Sequence, residues 1–206
     1  MKLKYFIDSN KGVTALFVLA MIAIYGQWDN PTAWIYLALH GTYGFLWVLK
    51  SRIFPDQAWE QQVSLGFGLL SWGSLCLYWV APWMLNARGV QAPGWYLALC
   101  ISMFSFGVFL HFASDMQKHV ALSLNPGKLI TDGLFAHLRN TNYFGELLIY
   151  SGFGLLAMHW VPMVILGIWV FFYWLPRMRK KEGVLSQMIG YENYKAQSKL
   201  FIPFLY

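Results

Sequence analysis

Charge is what this chain has least of. Asp, Glu, Lys and Arg make up 12% of it, against roughly 25% in a soluble domain. With 58% hydrophobic residues and a mean hydropathy of +0.45, that scarcity excludes an ordinary water-soluble globule. Cysteine is nearly absent as well. Cys76 and Cys100 both fall in apolar runs and read as buried small side chains, not as a disulfide framework. No Cys pair and no His-x-x-x-His occurs, so no metal site is expected. No glycine-rich loop fits a Rossmann or phosphate-loop pattern. Internal repeats and low-complexity tracts are missing too. Acidic residues number nine against fifteen Lys and Arg, for a net charge of +6. In so apolar a chain that excess reports loops facing anionic lipid and cytoplasm, not nucleic acid.

What is present is a series of apolar runs. They cover Gly12–Gln27, Thr32–Leu49, Val63–Trp83, Gly94–Phe112, Thr141–Trp160 and Met163–Leu175. The expected fold is an all-α polytopic membrane protein of about six transmembrane helices, with a C-terminal amphipathic segment on the cytoplasmic side. Several runs are shorter than the roughly 20 residues a bilayer core needs. The eleven Trp and twelve Tyr suit the interfacial ends of such spans. The first run follows Lys2, Lys4 and Lys11 but lacks a small-x-small cleavage site, so it reads as a retained span. Six spans would place every Lys and Arg except Arg88 on one side. That asymmetry predicts cytoplasmic termini, in a bacterial inner membrane or an endoplasmic reticulum.

Polar groups gather where the fourth run ends and the fifth begins. His111 and Asp115 lie one helical turn apart, and Lys118 follows on the next. The stripe is either a solvated helix end with local ion pairs or a set of contacts to a polar ligand. Asn142, Glu146 and Tyr150 share one face of the fifth run by their spacing of four. Glu146 stands about a turn inside an apolar helix, where a carboxylate is costly and therefore a functional candidate. His40 sits in the middle of the second run with Tyr36 and Tyr43 within a turn, and is the proton-handling candidate outside that mouth. The tail begins with Arg177, Arg179, Lys180 and Lys181. It can lie on the membrane or fold back over the mouth.

At these residues the chain resembles a superfamily of membrane enzymes. It includes steroid 5α-reductases, sterol C14 and C7 reductases and isoprenylcysteine carboxyl methyltransferases, and the likeness is nearest to a bacterial and protist branch. The reductase-like element Arg-x-Pro-Asn-Tyr-x-Gly-Glu appears as Arg139 to Glu146, with Thr141 in the place of Pro. Ser114-Asp115 with Gln117-Lys118 resembles the Asp-containing element before it, and Gly133-Leu134-Phe135 the step between. Glu182, Leu185, Gly190, Tyr191 and Tyr194 look like the methyltransferase tail, while Phe201-Ile202-Pro203-Phe204 suits both groups. The resembling part runs from about Phe109 to Phe204.

The resemblance implies one membrane domain in two functional parts, 1–108 on the substrate side and 109–206 on the cofactor side. It implies NADPH-dependent reduction of a carbon–carbon double bond in a sterol-like or isoprenoid membrane lipid. His111, Asp115, Lys118, Arg139, Asn142, Tyr143, Glu146, Arg179 and Tyr194 would then hold the cofactor. His40, Tyr36 and Tyr43 would serve catalysis. The alternatives are an S-adenosylmethionine-dependent methyltransferase of a membrane-held substrate, or a non-catalytic membrane subunit. The sequence identifies no protein partner beyond the bilayer itself.

Overall fold

The structure is a computed structural model and describes residues 1–205. It is helical, and among the described residues the only extended pairings are two isolated bridges. The helices are α1 (Leu3–Ile24), α2 (Pro31–Ile53), α3 (Leu65–Leu75), α4 (Val80–Ala87), α5 (Gly94–Leu124), α6 (Thr141–Leu155), α7 (Trp160–Trp169), α8 (Leu175–Leu185) and α9 (Tyr191–Gln197). A 3-10 turn at Cys76–Trp79 joins α3 to α4, and a π turn at Val170–Trp174 joins α7 to α8.

Four helical stretches are long and apolar enough to cross a membrane: Leu3–Ile24, Leu65–Ala87, Gly94–Leu124 and Trp160–Leu185. The protein is an integral membrane protein of all-α class. Its outward faces carry Leu16, Phe45, Leu70, Phe106, Phe109, Phe171 and Phe172, all exposed, as lipid-facing helices do. Meanwhile α1 buries Asn10, Lys11 and Thr14. The remaining two expected spans differ. With 15 residues, α6 is about 22 Å long, short of a hydrocarbon core of about 30 Å. With 23 residues, α2 has the length but carries buried His40 and Lys50.

Several boundaries depart from the expected ones. The polar start Met1–Lys11 is not a loop, because α1 begins at Leu3 and buries Lys11. The stretch Ser114–Asn140 is not all connection: α5 continues to Leu124 and stops where Asn125-Pro126-Gly127 follows. Likewise α2 runs on to Ile53 and α6 ends at Leu155, five residues before Trp160. A helix needs its backbone bonds, not apolar side chains, so a change of polarity marks a membrane edge without ending the helix.

The chain forms two compact units. The first comprises Met1–Phe104 with Tyr150–Leu166; the second comprises Ser105–Ile149 with Gly167 onward. In the first unit α1 packs along α2. Gly44 makes this possible, since a Cβ there would strike the Lys11 carbonyl. The N-terminus is tied to the 57–63 segment by Leu3 N–H to Gln61 O and Val63 N–H to Met1 O. Lys2 and Lys4 both bond Glu60. In the second unit α5 and α6 cross where Gly107 and Gly145 meet. A Cβ on Gly145 would lie 2.5 Å from His111 N, and one on Gly107 2.7 Å from Gly145 O.

Candidate functional site

The second unit contains all nine residues expected to hold a cofactor. Along α5, His111 and Asp115 are buried. Asp115 Oδ2 lies 3.9 Å from His111 Nε2, and Oδ1 lies 3.5 Å from Lys118 Nζ. His111 Nδ1 is 3.1 Å from the Asn142 carbonyl oxygen, which fixes α5 against the start of α6. Asn142 thus contributes its backbone here. Tyr143 stands beside Glu146 and the Arg177 guanidinium, and Arg177 also donates to Tyr173 Oη at 2.9 Å. Arg179 is exposed, as is Lys180 after it.

The loop before α6 is built by side chains the motif did not emphasise. Gln117 accepts from Leu134 N–H at 3.0 Å and donates to Asp132 O at 3.0 Å. Gly133 has φ +56°, and a Cβ there would lie 2.6 Å from Gln117 Nε2. That accounts for glycine at the Gly-Leu-Phe step. Thr141, standing where the family usually has Pro, places Oγ1 2.6 Å from Leu134 O and 2.8 Å from Leu138 O. Its hydroxyl ties the turn that a proline ring would stiffen.

The tail folds back onto this loop. Arg139 donates from Nε to Glu182 at 2.9 Å and from Nη1 to Ser198 O at 2.6 Å. Asn140 donates to Leu200 O at 2.9 Å, and Tyr194 donates to Phe135 O at 2.7 Å. Backbone bonds pair Arg139 N–H with Lys199 O and Lys199 N–H with His137 O. Tyr191 donates to Glu182 at 2.6 Å. Its burial, and then this bond to a carboxylate, push the phenol up to about 12. Arg139, Glu182, Tyr191 and Tyr194 therefore hold backbone and one another in this structure.

Sequence reasoning missed Lys181, which it counted only among the basic residues after a span. Lys181 Nζ donates to Arg139 O at 2.9 Å and to Asn140 Oδ1 at 3.0 Å. It shares the electrostatic field of Lys118, Asp115 and Glu182. Its position one turn after Arg177 on a helix was the signal that could have found it. Among the described residues no cluster of His, Cys, Asp or Glu could hold a metal.

A nucleotide's chemistry fits this donor set. Glu182 Oε1 is buried and has no hydrogen-bond partner in the protein, which suits a ligand hydroxyl. Arg179, Lys180 and Lys118 offer cations for phosphate oxygens.

In the first unit, Tyr36 Oη lies 3.0 Å from His40 Nδ1, both groups being buried. His40 stacks on Phe153 with centroids 4.1 Å apart. Tyr43 meets Phe153 and Tyr150 instead. The three expected catalytic residues thus lie in one aromatic cluster.

Comparison with known proteins agrees with the site's motifs. The steroid 5-alpha-reductase DET2 of Solanum lycopersicum is 22% identical over 190 residues, covering 87% of this chain and 72% of that protein. A family model described as "Protein of unknown function (DUF1295)" matches residues 57–197, beginning well before the first recognisable motif. The chain belongs to this DUF1295 family, within the steroid 5α-reductase-like superfamily.

Proposed function

We propose that the protein is a membrane reductase that uses NADPH to saturate a carbon–carbon double bond of a sterol-like or isoprenoid lipid. The observation that carries this reading is the donor set of the second unit. The buried Asp115 carboxylate and the buried Oε1 of Glu182 stand with Lys118 and Lys181, and the exposed Arg179–Lys180 pair lies on α8. Carboxylates accept from ribose hydroxyls. Arginine and lysine bind the phosphate that S-adenosylmethionine lacks.

When bound, NADPH would supply hydride. The chain's part is to hold and shield. Asp115 is buried beside His111 and Lys118, 3.9 and 3.5 Å away, so its acceptor atoms stand in a desolvated wall where a ligand hydroxyl would be held strongly. Arg139 and Tyr194 lock the tail over the loop of residues 133–141, keeping that wall dry and rigid. On the substrate side, the Tyr36–His40 pair can hold a proton within a buried, aromatic surrounding.

The test follows a label. Nanodiscs made from membranes of the expressing cell, holding the purified protein, receive NADPH deuterated at the transferable position and S-adenosylmethionine labelled in its methyl group. Reduction places one deuterium on carbon in a lipid. Labelled methyl in lipid without deuterium would replace this reading with methylation, and neither label would favour a non-catalytic subunit.

A further inference from the structure

The tail that folds back onto the loop of residues 133–141 ends in two open apolar side chains. Phe204 is 94% exposed and Leu205 79%. They follow a packed stretch, in which Leu200 and Phe201 are buried and Ile202 and Pro203 half-buried. Phe204 also has φ +65°, where a bulky side chain is an outlier. Leu205 N–H closes the turn onto Ile202 O at 3.2 Å. Strain of that kind persists only where other interactions outweigh it.

Phe201 sets the level of this tip. Its ring meets Trp174 edge-on, with centroids 6.5 Å apart and planes at 86°. Trp174 lies where the apolar residues of the stretch Trp160–Leu185 give way to charge, with Arg177, Arg179, Lys180 and Lys181 following. That succession marks a membrane edge. Phe171 and Phe172, within one turn of Trp174, are exposed, so lipid reaches this level. Phe204 follows Phe201 by three residues, a reach of about 11 Å at most. The headgroup zone on one side of a bilayer is about 5–8 Å deep. The tip therefore stands within reach of that zone. Ile189 is the contrast. It is fully exposed as well, but the helix α8 carries the chain about 16 Å past the edge before it.

We infer that Phe204 and Leu205 are an interfacial anchor: they insert into the headgroup–acyl boundary of the leaflet beside Trp174 and pin the tail to the membrane. Insertion removes two apolar side chains from water, and that gain offsets the strain at Phe204. The carbonyls of Ser198 and Leu200 accept from Arg139 and Asn140. A tip held in lipid thus also holds the stretch that closes over the loop. The anchor needs no nucleotide and stands apart from the proposed reduction.

The experiment uses the full chain in phosphatidylcholine nanodiscs, with Cys76 and Cys100 replaced. A bimane label is attached through Leu205→Cys or, separately, Ile189→Cys, and the lipid carries a nitroxide near its headgroup. The nitroxide should quench the label at 205 strongly and the label at 189 little. Phe204→Gly suits the positive φ and so keeps the turn, but it removes the ring. It should lose most of the quenching at 205, whereas Phe204→Trp should keep it. Backbone amides of residues 198–201 should exchange hydrogen faster in Phe204→Gly. Equal quenching at the two positions, or unchanged quenching in Phe204→Gly, would overturn the anchor; unchanged exchange would overturn the pinning.

Discussion

Arg139 illustrates what one residue hides. Its motif suggested a ligand contact, yet its guanidinium reaches Ser198, 59 residues along the chain, and Glu182. A sequence displays the cation but not the distant carbonyl that it satisfies, so these contacts of Arg139 were not legible. Lys11 was hidden in the opposite way. Near the N-terminus it resembled a topology signal, and only the packing of Gly44 against its backbone reveals it as buried. Tyr191 offers a test at this scale. Burial and the Glu182 bond raise its phenol from the ordinary value near 10 to about 12. The neutral form is the one the fold prefers, so its contribution is complete below pH 10 and is lost as pH rises through about 12. Tyr191→Phe should cost roughly 1.5–3 kcal/mol at neutral pH, the range for a hydrogen bond to a charged group. It should also remove that alkaline loss. Thermal melts of both proteins across alkaline pH would show it; parallel curves would contradict the assignment.

At the scale of elements, existence was easier to read than extent. Every apolar run came out mainly helical, the third interrupted by a 3-10 turn and the last by a π turn, because a helix satisfies its backbone bonds within one stretch in lipid. The ends were misplaced at α1, α2 and α5, where polar residues continue the helix beyond the apolar run. The crossing of α5 and α6 was partly legible. Gly145 belonged to the motif, but its partner Gly107 carried no signal of its own. Gly145→Val should force these helices apart, since even a Cβ would sit 2.5 Å from His111 N. Overpacking costs about 1–3 kcal/mol or more, and the displaced Asp115 should weaken nucleotide binding with it. Gly73→Ala, at a helical glycine with open space around it, should leave nucleotide affinity intact. Equal effects of the two substitutions would argue against a specific crossing.

Over the whole molecule, four stretches suffice by length and composition to cross a membrane, and the six-span arrangement with both termini cytoplasmic is a proposal beyond them. In that arrangement Arg88 would stand alone opposite the other loop cations, Lys11 being buried within α1 and outside the count. After Cys76 and Cys100 are replaced, a cysteine at position 88 should react with an impermeant reagent in intact cells, and one at position 128 only after permeabilisation. The reverse pattern would invert the protein. The central claim concerns the second unit and its nucleotide. Heat denaturation of the purified protein with NADPH, NADH or S-adenosylmethionine tests it most directly. Ligand at about 100 times its dissociation constant adds about 2.7 kcal/mol to stability, a visible shift where unfolding is reversible. NADPH should protect most, NADH less and S-adenosylmethionine least, with Arg179→Ala erasing the preference for NADPH over NADH. Protection by S-adenosylmethionine alone, or by no nucleotide in a folded protein, would contradict the account.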